Sequence, residues 1–73
     1  MIVVFETDEE ETTLQGEHYF GGLLPEIGHW IDWQITIHGV HPTPPIPKGR
    51  YRIDSVLWQL GTSSVLRVHL VRA

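Results

Sequence analysis

Residues 50–60 read Arg50-Tyr51-Arg52-Ile53-Asp54-Ser55-Val56-Leu57-Trp58-Gln59-Leu60, and this stretch decides the fold. Its large apolar residues alternate, but the phase changes part-way. Tyr51 and Ile53 have one parity, while Val56, Trp58 and Leu60 have the other. Side chains of a strand alternate between faces with a period of two, so one face takes both sets only if one residue is extra. Asp54-Ser55 is the natural place for such a β-bulge. A bulged strand bends, and a bent strand curls its sheet toward a barrel.

The flanking sequence supports an all-β chain. Gly61-Thr62-Ser63-Ser64 is a turn, and Val65–Val71 returns with Leu66, Val68 and Leu70 inward and Arg67 and His69 outward. Upstream, Trp30–His38 alternates without a break. Ile31, Trp33, Ile35 and Ile37 share one face, while Asp32, Gln34, Thr36 and His38 share the other. Leu24-Pro25-Glu26-Ile27-Gly28 enters it as a turn, with proline pre-setting one φ and Gly28 free to go left-handed. The two strands are joined by Gly39–Pro47, which holds Pro42, Pro44, Pro45 and Pro47. Proline has no amide to give a ladder, so a stiff polyproline-like coil is expected.

Ile2-Val3-Val4-Phe5 reads as a short strand covered on both faces. Thr12-Thr13-Leu14 and Glu17–Phe20 read as a weaker extended segment, broken by Gly16 and closed by Gly21-Gly22. No window carries a helical apolar stripe. A turn or two within Glu9–Gln15 is the one opening for an α+β fold. The expectation is one domain over residues 1–73, a small barrel of four to five strands with a bulged, bent long strand. Ile31, Trp33, Ile35, Val56, Trp58, Leu66, Val68 and Leu70 should form its core.

The turn Pro25-Glu26-Ile27-Gly28, an alternating strand, and Gly49-Arg50-Tyr51-Arg52-Ile53 leading to Val56-Leu57-Trp58 resemble small SH3-like barrel proteins of phage and bacterial genomes. Those proteins show a P-x-x-G turn followed by G-x-Y-x-V-x-x-V-x-W. The resemblance spans roughly residues 24–70 and rests on turn glycines and core positions; the proline-rich insert at 41–47 lies outside it. It implies an SH3-like barrel and a binding module, with no catalytic residues to transfer.

Composition narrows the function classes. The 73 residues include no cysteine, so there is neither a disulfide nor a thiolate metal site, and a reducing, cytoplasmic setting is expected. The four-residue apolar run at Ile2–Phe5 is too short for a signal peptide or a membrane span. Charge is segregated along the chain. Eight carboxylates and no cation fall up to residue 37, whereas Lys48, Arg50, Arg52, Arg67 and Arg72 face only Asp54 after it, giving a net charge of −4. A net-acidic chain makes a poor nucleic-acid binder, and complementary patches favour a protein partner or self-association.

No chemistry-bearing constellation emerges. His38 and His41 stand in His-Gly-Val-His with no cysteine support, so no metal or other cofactor is expected. Asp32 and Asp54 are isolated, and no nucleophile has a base and an orienter near it, which argues against an enzyme. His41–Lys48 is a proline-rich run, read as a stiff loop before a polyproline ligand. Trp30 has outward parity on a polar face, where a tryptophan is often an interface anchor. The expected binding residues are Trp30, Arg50, Arg52, Arg67 and His69. The role they imply is non-enzymatic protein binding, in a phage, mobile-element or bacterial accessory protein. The alternatives are a nucleic-acid-binding barrel using Arg50, Arg52 and Arg67, or a structural subunit of an assembly.

Overall fold

A computed structural model of the chain describes residues 2–15 and 25–73. Five strands run in the order β1 (Ile2–Glu6), β2 (Glu11–Gln15), β3 (Trp30–Trp33), β4 (Gly49–Gln59) and β5 (Val65–Arg72). They form one mixed sheet of order β2-β1-β5-β4-β3, antiparallel throughout except for the parallel pair β1–β5. The sheet is strongly curled. Phe5 on β1 and Trp33 on β3 are separated by two strands in the sheet, yet their rings meet edge to face with centroids 5.0 Å apart. The result is an all-β half-barrel with a long fourth strand.

The bulge lies where the phase of β4 changes. Ile53 faces Leu70 and Ser55 faces His69, which leaves Asp54 as the extra residue. Val56 and Trp58 then face Val68 and Leu66 on the same side of the sheet as Tyr51 and Ile53. That concave side holds the core of Val3, Phe5, Trp33, Tyr51, Ile53, Leu66, Val68 and Leu70, joined by Ile46. Leu14, Ile31, Ile35 and Val56 pack against it half-buried. Val4 is also buried but lies outside this cluster, so β1 is covered on both faces as its unbroken apolar run implies.

Three expectations change. The strand expected over Trp30–His38 ends at Trp33, which pairs with Gly49, the first residue of β4. Before Gly49 the chain runs through the prolines, which supply too few amides for a ladder, so residues 34–38 have no partner strand. Ile35 still packs on the core. Trp58 was expected inside but is 44% exposed. Its parity is right, but β3 reaches only as far as Arg52, and Trp58 lies at the uncovered rim. The proline-rich segment is more than a loop. Glu11 N donates to Pro44 O (3.0 Å) and Ile46 N to Thr12 Oγ1 (3.1 Å), and Ile46 is 2% exposed. Residues 44–46 therefore strap the outer edge of β2 and insert an apolar side chain into the core.

The turn into β3 forms as expected. Gly28 has φ +93°, and His29 N donates to Glu26 O (3.2 Å). Gly28 N donates to Ile53 O and Ile53 N to His29 O, extending the cover on β4 by one residue. Glu9–Gln15 contains no helical turn, because Glu11–Gln15 pairs with β1 as β2. The extended segment expected over Glu17–Phe20, with its Gly21-Gly22 closure, lies outside the described residues.

Candidate functional site

The convex face is the side opposite the core. Alternation places Trp30 and Asp32 of β3, Arg50 and Arg52 of β4, and Arg67 and His69 of β5 there. All five expected binding residues share this face, but the register divides them into two groups. Trp30 lies directly opposite Arg52, and Asp32 opposite Arg50. Arg67 instead lies between Leu57 and Val4, and His69 between Ser55 and Glu6. Arg67, opposite Leu57, is offset from Arg52 by roughly 16 Å along β4, whereas His69, two residues from the Arg52 partner Val71, is offset by only about 7 Å.

The groups also differ in what they touch. Trp30 is 63% exposed, and the guanidinium groups of Arg50 and Arg52 have no partner among the described residues. Asp32 and Arg50 form no ion pair although they lie directly opposite each other; the Asp32 carboxylate accepts a hydrogen bond from Gln34 Nε2 (2.8 Å). Arg67, in contrast, donates through Nε to Gln59 Oε1 (2.8 Å) and pairs through Nη1 with Glu6 Oε2 (3.4 Å). His69 Nε2 is 3.4 Å from Asp8 Oδ1.

The acidic β1–β2 turn explains that second set. Thr7 Oγ1 accepts from Glu10 N (3.0 Å) and donates to Glu10 Oε1 (2.7 Å), while Thr7 N donates to Glu10 O (2.9 Å). This tight turn, together with the parallel β1–β5 pairing, brings Glu6 and Asp8 onto Arg67 and His69. Exposed pairs of this type contribute about 0–1 kcal/mol each. Their larger effect is to occupy Arg67 and His69 with partners from the same chain. Arg72 is engaged elsewhere, with its guanidinium carbon 5.4 Å from the centre of the Tyr51 ring.

On the concave side, Tyr51 OH donates to Pro47 O (2.7 Å), which secures the end of the strap. Burial raises the Tyr51 phenol above its ordinary range; Arg72 opposes that rise and Glu10 adds to it. Trp33 Nε1 is buried without an acceptor among the described residues, beside an apolar hollow of about 320 Å³ that Phe5, Leu14, Ile31 and Ile35 also line. The histidines with described positions are dispersed. His29 lies 3.4 Å from Glu26, His69 is beside Asp8, and His41 Nε2 donates to the His38 carbonyl (3.2 Å). Ser63 and Ser64 are exposed in the β4–β5 turn, and Asp54 is exposed at the bulge.

Parity in the sequence indicated Trp30 and its arginines. It did not indicate the exposed apolar end of β4, where Leu57 is 58% and Leu60 81% exposed. The signal was the phase change itself, which turns Leu57 outward once a residue is added. Comparison with protein-family models, curated proteins and solved structures finds no match to this chain.

Proposed function

We propose that this protein is a non-enzymatic interaction module that binds another protein through the convex patch of Trp30, Arg50 and Arg52. The observation that carries this reading is an exposed Trp30 cross-strand from Arg52, with both arginines unpaired among the described residues. Tryptophan and arginine dominate interface hot spots because each buries a large rigid surface while keeping a polar handle. Paired strands fix the backbone under both residues, so binding need not order a loop, and only side-chain rotamers are immobilised. In this reading the half-barrel is an SH3-like one, in a cytoplasmic phage, mobile-element or bacterial accessory protein, and a structural subunit of an assembly would use the same patch.

The nucleic-acid alternative has weaker support. It requires Arg67 alongside Arg50 and Arg52, but Arg67 is held by Glu6 and Gln59. Two free arginines on a chain of net charge −4 are a poor electrostatic funnel.

Capture from cells of the native source separates these readings, with wild type, Trp30→Ala and Arg52→Glu as baits. The expected result is a protein retained by wild type, lost by both variants and weakened by added salt. Identical catches for all three baits would sink the proposal. A catch abolished by nuclease would transfer the patch to nucleic acid.

A further inference from the structure

Among the described residues, the second half of β4 is an open edge. β3 pairs only with Gly49–Arg52, and the turn before it reaches only Ile53. Residues 55–59 pair with β5 on one side and with no described residue on the other, and Asp54 is the bulge residue between. Alternate backbone N–H and C=O groups there point away from β5 and have no partner among the described residues, and such a row is a template for another strand. Apolar side chains flank this edge on both faces, Leu57 on the convex side and Trp58 on the concave side, with Leu60 just beyond the strand. A partner docking on one face would cover only one set. An added strand touches both.

We propose that this edge pairs antiparallel with the same edge of a second copy, about a two-fold axis through Leu57. In that register Leu57 faces Leu57, Val56 faces Trp58, Ser55 faces Gln59 and Asp54 faces Leu60. The segment is self-complementary, because Asp54 is its only charge and the axis places the two carboxylates at opposite ends. The window also has the same limits in both copies, with the Gly28–His29 turn at one end and the Gly61 turn at the other. The three exposed side chains leave on the order of 400 Å² of apolar surface, the size at which a patch marks an interaction site. Two copies bury about twice that plus the backbone, which places the pair near the weak, transient end of specific interfaces. This surface is separate from the Trp30–Arg52 patch and does not depend on its role.

Sedimentation from about 10 μM to about 1 mM chain should show a reversible dimer of weak affinity, largely indifferent to salt because no charges are paired. Leu57→Lys should weaken it at least tenfold with an unchanged melting temperature. Leu60→Lys, placed after the strand, provides a second variant in case the first disturbs folding. Amide exchange at residues 54–59 should slow as concentration rises. A monomer throughout the range, or a dimer indifferent to both variants, would overturn the proposal. So would an edge protected only by a foreign peptide.

Discussion

The two halves of β4 have the same alternation and share a neighbour in β5, yet they end in different environments. In Gly49–Ile53, Tyr51 is fully buried and Ile53 2% exposed; in Asp54–Gln59, Val56 is half-buried and Trp58 44% exposed. One difference accounts for this. The first half has β3 and its turn on its outer side and the proline strap at its start, while the second half has no described element on that side. Parity decides which face a side chain takes, and the elements packed beyond that face decide whether it is buried.

The same truncation in both regions tests this most directly. Trp33, opposite Gly49, and Trp58, opposite Leu66, are both concave-side tryptophans. Trp33→Ala should cost about 3–5 kcal/mol through the cavity it leaves, enough to unfold a domain of this size, while Trp58→Ala should cost roughly half as much or less. Equal losses in urea melts would show that the rim is core after all. Next in size is Ile46→Ala, expected to cost about 2–4 kcal/mol because the strap supplies the core. A loss below ~0.5 kcal/mol would reduce the strap to a surface loop.

Tyr51→Phe should cost about 1 kcal/mol, since Pro47 O loses its donor. It should also flatten the alkaline limb of stability. Burial keeps the phenol protonated in the fold, so above about pH 10 the unfolded chain holds fewer protons and wild-type stability falls as pH rises. Below that pH the contribution is fully present. A wild-type stability level through pH 11 would count against this assignment. Smallest of all, Trp30→Ala should change thermal stability by no more than ~0.5 kcal/mol, as expected for an exposed side chain away from the core.

Much of this was legible in the sequence because strands record their faces locally. The β4 bulge, the outward Trp30, the Gly28 turn and the inward triad of Leu66, Val68 and Leu70 all follow from period two and turn chemistry. What required long-range partners was not legible. β3 ends at Trp33 because continuing its register would run into Pro47, Pro45 and Pro44; Ile46 is buried because a strap crosses to Thr12; Trp58 is exposed where no described element crosses to it. The candidate site divides the same way. Parity placed five residues on one face, but only the β1–β5 register shows that Glu6 and Asp8 occupy Arg67 and His69 and leave Trp30 with Arg50 and Arg52.

The parallel pairing of β1 with β5 also bears on the order of assembly. β1 lies inside the sheet, with Ile2 beside Val65 and Phe5 beside Val68, so it gains its second neighbour only from the far end of the sequence. The β1–β2 and β4–β5 hairpins close locally and quickly, but the step that joins them requires a loop spanning most of the chain. Such non-local closure slows folding by orders of magnitude relative to local contacts. On the ribosome, Val3 and Phe5 would wait with one flank bare until Leu66 and Val68 emerge. Nascent chains would therefore be most prone to wrong pairing just before synthesis reaches β5.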